Sequence, residues 1–370
     1  MDLRPSLTRH HRSRQASHAQ LAAPFVLIAV VTVVDVLAPP EVHLGPFLAA
    51  APAMTASFAG PRMTGFVGLV AVLAQVVVAM TRTSLTDLNH TFQIIALVMI
   101  SVFVTFFAHL REVHEKEVVQ LRTVAETAQQ VVLRPLRDRI GPLGVASVYL
   151  AAAAEAQIGG DLYAAARTAT GTRLIIGDVR GKGLEAVGDA ALVLGAFRAS
   201  AHQEAELSGL VDYLEAAVSA DLDGGDEGES FVTAAVLEIP DDEPVLRLVS
   251  CGHPPPLLLL RGGGAVGLDV ARPAPPLGLA GLVAGAVTAQ TFPFRPGDVL
   301  LLYTDGVLEA RDRAGTFYPL MERVPAWTGM RPQALLDHLC EDLLAHAAGN
   351  TLDDDAAMVA VERPARPARP

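Results

Sequence analysis

Four apolar runs fill the first 110 residues, at 21–38, 43–59, 63–81 and 92–110. Each is close to the roughly 20 residues that a helix needs to cross a bilayer, so the pattern predicts four spans. Arg4, Arg9, Arg12 and Arg14 precede the first run, Arg62 lies in the second connection, and Arg111 and Lys116 follow the fourth. The positive-inside bias then puts both termini in the cytoplasm, with external connections at 39–42 and 82–91. A basic start before an apolar core also has the look of a signal peptide, but three further apolar runs follow it, and an anchor is expected. Asp35, inside the first run, is expected near its external end, reaching for the interface.

After residue 110 the pattern changes. From 111 to 133 the chain is charged and helix-favouring, with Val118, Leu121, Ala125, Ala128 and Val132 on one helical seam and Pro135 ending it. Two readings stand side by side: a dimerising signal helix, which would make a homodimer, or a helix packed on its own domain. Beyond Gly141 come short β-type runs at 145–150, 162–167, 172–179, 231–239, 245–251, 256–260, 287–292, 299–303 and 356–361, interrupted by helical stretches at 184–202, 207–221 and 332–346. The strands follow one another in hairpin fashion instead of alternating with helices. An α+β fold of packed antiparallel sheets covered by helices is therefore expected. The domain plan is a cytoplasmic segment at 1–20, a transmembrane domain at 21–110, a helical linker at 111–140, a globular domain at 141–362 and a basic tail at 363–370.

Charge sharpens this division. The chain has 370 residues and a net charge of −12; residues 1–110 hold six Lys and Arg against four Asp and Glu, and the remainder holds 22 against 36. So acidic a globular part is a poor partner for nucleic acid. The two cysteines, Cys251 and Cys340, form no Cys-x-x-Cys pair, which argues against a zinc knot or a disulfide framework and fits a reducing compartment.

Candidate chemistry lies in four aspartates at strand ends or in turn-rich segments: Asp161, Asp178, Asp305 and Asp354. Carboxylates gathered at such ends repel one another unless divalent cations sit between them, and hard oxygen ligands without His or Cys select Mg²⁺ or Mn²⁺ over zinc. The run from Gly177 to Gly183 is not a phosphate loop, because three residues separate its glycines and Gly183 follows Lys182. Nor is the acidic segment from Asp221 to Asp226 a calcium loop, since Asp226 stands where Gly is required and Val232 where Glu is. His253 reads as part of a rigid turn, and Thr233 and Thr304 as hydroxyls bonded to backbone.

The ordered series Gly159-Gly160-Asp161-Leu162-Tyr163, Gly177-Asp178-Val179-Arg180-Gly181-Lys182-Gly183, Phe231-Val232-Thr233-Ala234, Cys251-Gly252-His253-Pro254-Pro255-Pro256, Pro276-Leu277-Gly278-Leu279, Gly297-Asp298 and Tyr303-Thr304-Asp305-Gly306-Val307-Leu308-Glu309-Ala310 resembles the SpoIIE-like branch of the metal-dependent protein phosphatases, the protein phosphatase 2C superfamily, over residues 145–362. The resemblance implies an αββα sandwich with two Mg²⁺ or Mn²⁺ ions between its sheets, hydrolysing phosphoserine or phosphothreonine. Asp178 would bridge both ions, with the Val179 carbonyl beside it; Asp305 and Asp354 would complete one shell and Asp161 the other. Two ions about 3.5–4 Å apart lower the pKa of a shared water, which attacks phosphorus in line. Arg180 and Lys182 are candidates for steering the phosphate. Ala164 and Ala357 depart from the family's frequent Asp and Thr. The run Asp353-Asp354-Asp355 leaves a choice of register, in which Asp354 aligns the apolar run 356–361 with relatives.

By this resemblance the chain is expected to be a multi-pass cell-membrane phosphatase with its catalytic domain in the cytoplasm, acting on a phosphorylated protein of the anti-sigma-factor antagonist type. The alternative is a catalytically silent receptor domain that keeps the fold to bind a partner.

Overall fold

A computed structural model describes residues 18–39, 44–82, 88–152, 159–222, 230–282 and 286–364. Arg4, Arg9, Arg12 and Arg14, residues 40–42 and 83–87 of the expected external connections, residues 223–226 of the acidic segment and residues 365–370 of the basic tail lie outside them. The chain divides into two compact units, residues 1–120 and 121–370.

The first unit is helical: α1 (His18–Leu37), a 3₁₀ turn (Gly45–Ala49), α2 (Ala50–Ala56), α3 (Pro61–Arg82) and most of α4 (Leu88–Val132). Three helices are long and apolar enough to cross a membrane, over Gln20–Leu37, Pro61–Thr81 and Thr91–Gln120. The expected second span is not among them. Its apolar run is split into the 3₁₀ turn and the seven-residue α2, each carrying a proline, Pro46 and Pro52. A proline inside a helix removes a backbone donor and crowds the preceding turn.

Large apolar side chains point outward on the three long helices, among them Val33, Leu69, Phe103 and Phe107. Asp35 does not reach outward as expected. It is buried, and its Oδ1 accepts a hydrogen bond of 3.1 Å from the Leu44 N–H at the start of the 3₁₀ turn. Such a bond offsets the cost of a carboxylate in apolar surroundings. Gln75 donates to Gln93 across α3 and α4 at 2.9 Å.

The second unit is an α-β-β-α sandwich. One sheet runs in the order β1 (Arg139–Ile140), β2 (Leu143–Leu150), β11 (Ala356–Glu362), β10 (Val299–Tyr303), β7 (Leu257–Leu259), β8 (Ala265–Gly267). The other runs β3 (Leu162–Arg167), β4 (Gly171–Val179), β5 (Val232–Pro240), β6 (Val245–Cys251), β9 (Gln290–Pro293). Every neighbouring pair is antiparallel. Helices α5 (Leu184–Ser200) and α6 (Leu207–Leu222) cover the second sheet. Helix α9 (Pro332–His346) covers the first, and the short α7 (Asp305–Leu308) and α8 (Leu320–Arg323) complete that side.

Strand period decides which side chains meet. Leu300 and Leu302 of β10, with Ala357, Val359 and Val361 of β11, face the second sheet and join a core that includes Ile176, Val236 and Phe197. Their neighbours Val299, Leu301 and Tyr303, with Ala356, Met358 and Ala360, face the other way and pack with Leu335 and Leu339 of α9. Successive residues of a strand point to opposite faces, so an unbroken apolar run is what a strand covered on both sides requires.

His253 fastens the two sheets together. Its Nε2 lies 3.1 Å from the Tyr303 carbonyl of β10 and its Nδ1 3.2 Å from the Thr233 hydroxyl of β5. A carbonyl only accepts, so Nε2 carries the proton and Nδ1 accepts from Thr233. The reading of His253 as a structural residue fits this neutral, buried ring, whose pKa burial pushes down to about 4.

In an unfolded chain the same ring titrates near its ordinary 6.5. The stability it contributes is therefore fully present above pH 6.5 and is lost as pH falls toward 4. At about 1.36 kcal/mol per pKa unit, the loss approaches roughly 3 kcal/mol. Urea titrations of the full chain are expected to show the stability gap between native protein and His253→Gln narrowing by about 2 kcal/mol from pH 7 to pH 4.5.

Candidate active site

The aspartates singled out from the sequence lie at one end of the sandwich. Asp161 immediately precedes β3, Asp178 is the penultimate residue of β4, Asp305 opens α7 just after β10, and Asp354 stands two residues before β11. The register places Asp178 opposite Thr233, and Tyr303 opposite Met358.

Thr304 joins the ends of the two sheets. Its hydroxyl donates to Asp161 Oδ2 at 2.8 Å and accepts from the Ala357 N–H at 2.9 Å, while its own N–H donates to the Ala357 carbonyl. Sequence reasoning gave this hydroxyl a backbone role only; its bond to a site carboxylate was missed. The sequence signal was present in its place between β10 and Asp305.

The triple aspartate resolves into three environments. Asp353 is exposed and Asp354 half-buried, facing the site. Asp355 is buried, and its carboxylate accepts from the Ala152 N–H at 2.7 Å and from the Gly159 N–H at 2.5 Å. It therefore holds Ala152, just after β2, and Gly159, two residues before Asp161. Gly306 makes this packing possible: a Cβ there would lie 1.9 Å from the Asp355 carbonyl oxygen, which no side chain can accept. Gly160 is similar, since a Cβ would meet the Val179 side chain at 2.5 Å and its carbonyl at 2.9 Å. The end of α4 reaches Gly159 as well, where Gln129 Nε2 donates to the Gly159 carbonyl at 3.3 Å. Ala128 and Val132, the last two positions of the linker seam, pack against Val187 of α5.

Electrostatics couples the carboxylates. Burial raises the Asp178 pKa to about 7, with Asp305 and Asp354 pushing the same way and Lys182 opposing. Asp161 is raised well above the ordinary carboxylate range, first by burial and then by Asp178, against the Thr304 hydrogen bond. Asp305 is raised by partial burial, Glu309 and Asp354. Lys182 Nζ sits 2.8 Å from Asp354 Oδ2, and that bond raises the lysine pKa. Arg180 is exposed, with its guanidinium 5.2 Å from the centre of the Phe231 ring.

The donor set suits hard divalent cations. It consists of carboxylate oxygens whose mutual repulsion a cation would relieve, with the Val179 carbonyl against Gly160 beside them. Among the described residues the side chains stand within electrostatic reach of one another, but no three acidic, His or Cys side chains converge closely enough to enclose an ion.

Known proteins show related folds and sequences. The SiaA-PP2C domain of Pseudomonas aeruginosa superposes with a TM-score of 0.55 at 16% identity, covering 68% of this chain and 98% of that domain. The PP2C phosphatase domain of SpoIIE from Bacillus subtilis, solved with a fragment of its regulatory domain, gives 0.48 at 18% identity over 60% of this chain and 62% of that one. Protein IcfG of Synechocystis sp. is 30% identical over 122 residues, which cover 32% of this chain and 18% of that protein. The match thus spans about a fifth of that relative's length. Residues 168–364, more than half of the chain, match the family model of Stage II sporulation protein E. With its sandwich fold and this match over most of the sandwich, the chain belongs to the SpoIIE family.

Proposed function

We propose that this chain is a membrane-anchored, metal-dependent protein serine/threonine phosphatase. The observation that carries the reading is the set of Asp161, Asp178, Asp305 and Asp354 at one end of both sheets, with Asp178 held near pKa 7 by burial and by its acidic neighbours. Groups with such perturbed titration concentrate at functional sites. These four side chains and the Val179 carbonyl would hold two Mg²⁺ or Mn²⁺ ions. Cations bound there supply Lewis acidity and an activated water for attack on a phosphate ester. Thr304 and Asp355 keep Asp161 and the backbone ahead of it in position. Lys182 and Arg180, at the rim, draw the phosphate inward.

The proposed substrate is a phosphoserine or phosphothreonine protein of the anti-sigma-factor antagonist type, a reading supported by family membership. Arg111 and Lys116 follow the apolar part of α4, so the positive-inside bias favours a cytoplasmic catalytic domain at the cell membrane. A homodimer through the linker would use its exposed upper part, which includes Val118. A specific contact favours a second reading, a catalytically silent receptor: the Lys182 ammonium already neutralises Asp354.

Two measurements on the full chain in detergent separate these readings. With Mn²⁺ and a phosphoserine protein, the phosphatase reading expects phosphate release that falls at least about 100-fold in Asp178→Asn and in Asp305→Asn; equal turnover in all three, or none with any divalent ion, leaves the receptor. The second is thermal melting followed by circular dichroism in the metal-free protein. Asp178 has its pKa raised from 3.8 to about 7, so its contribution to stability is fully present below pH 3.8 and is lost as pH rises to 7. The melting temperature is expected to fall between pH 5 and pH 7 and to level off above, and Asp178→Asn to flatten that fall.

A further inference from the structure

Away from the acidic end, the flank of the sandwich carries a cleft of about 440 Å³ between the segment that follows α4, strand β3 and helix α5. Arg134, Arg137, Arg139, Arg167 and Arg198 line it, with apolar walls that include Ile140. Five guanidinium groups on one cavity are unexpected in a part of the chain where acidic residues outnumber basic ones by 36 to 22.

Two of these arginines are committed. Arg167 binds both carboxylate oxygens of Asp241. Arg198 donates to the Val132 carbonyl at 3.3 Å, and its pKa is lowered first by burial and then by the positive charge of Arg134. Arg134, Arg137 and Arg139 are exposed, and among the described residues no carboxylate pairs with them. Asp138 lines the neighbouring cleft, which Arg139 also borders with Asp337 and Glu362, whereas Arg134 and Arg137 border this cleft alone. Like charges brought together without a counter-ion cost free energy that a bound anion would recover.

We propose that this cleft binds the phosphate groups of a small anionic ligand of about nucleotide size. Its volume falls within the range of small-molecule sites, about 300–1,000 Å³, and its apolar walls with a few charged groups match their usual lining. Guanidinium presents a planar fork of donors that fits phosphate oxygens two at a time. The site is separate from the aspartate cluster: Asp161 precedes β3, whereas the cleft is lined by that strand from Tyr163 to Arg167.

The test is calorimetric titration of the full chain in detergent with inorganic pyrophosphate, in EDTA so that no cation-dependent site contributes. The expected result is saturable binding of one pyrophosphate per chain with Kd below about 1 mM, weakened at least tenfold in Arg137→Gln/Arg139→Gln. Arg272→Gln/Arg313→Gln, which removes the same charge from exposed positions outside this cleft and its neighbour, is expected to bind as the native chain does. Circular dichroism melting of each variant identifies any loss of folding, and Arg134→Gln alone repeats the test with a single change. Absence of saturable binding, equal weakening by both double variants, or unchanged affinity in Arg137→Gln/Arg139→Gln overturns the proposal. Tighter binding of a ten-residue poly-glutamate peptide than of pyrophosphate also overturns it, since the cleft would then be a protein-docking surface.

Discussion

Negative charges have to be held close together at the edge of an apolar sandwich, and much of the local architecture answers that requirement. Asp178 is carried on the end of a strand buried on both faces, so it cannot swing away from its neighbours without disturbing β4. Asp161 is held by the Thr304 hydroxyl, which belongs to the opposite sheet. Asp355 accepts from the Ala152 and Gly159 N–H groups and so clamps the backbone ahead of Asp161, while its charge still adds to the repulsion on Asp161 and Asp178. Preorganised charges of this kind stabilise a bound cation or a transition state only if the scaffold resists their repulsion.

The scaffold resists through buried ties that are neutral or fully satisfied. His253 is one, with both ring nitrogens occupied and its proton assigned by its partners. Within the second sheet Arg173, buried in β4, donates to Glu238 of β5 and to the carbonyls of Ala201, Glu204 and Ala205 where α5 gives way to α6, tying the sheet to the helices that cover it. A buried cation with every donor engaged is tolerated where an unpaired one is not. His253 thus holds one sheet to the other, and Arg173 holds the second sheet to its covering helices.

Much of this was legible because strand period and motif order are local properties of the chain. The runs at 162–167, 245–251 and 299–303 became strands with those bounds, and the acidic positions fell at strand ends as their flanking residues indicated. What was misread depended on contacts distant in sequence or on backbone donors that a hydropathy pattern ignores. The run at 43–59 is apolar enough for a span, but it folds as a 3₁₀ turn and a seven-residue helix, a break that hydropathy does not report. Strand β8 is three residues long beside glycines and has no alternation to reveal it. Asp35 and Asp355 look like surface or ligand carboxylates in sequence, and only their backbone donors, supplied by folding, give them capping roles.

Strand β2 pairs from Gly144 to Leu150 with β11, so that Leu150 faces Ala356 and Val145 faces Val361. The first long strand of the sandwich must therefore wait for the last one to leave the ribosome. At about 5–20 residues per second this delay is on the order of 10–40 s. Throughout that interval the growing polypeptide carries an unsatisfied apolar edge, and Asp354 is the last of the four aspartates to arrive. A nascent chain that stalls short of β11 leaves an exposed β2 for holdase chaperones to shield, and it cannot acquire part of the acidic cluster's function early.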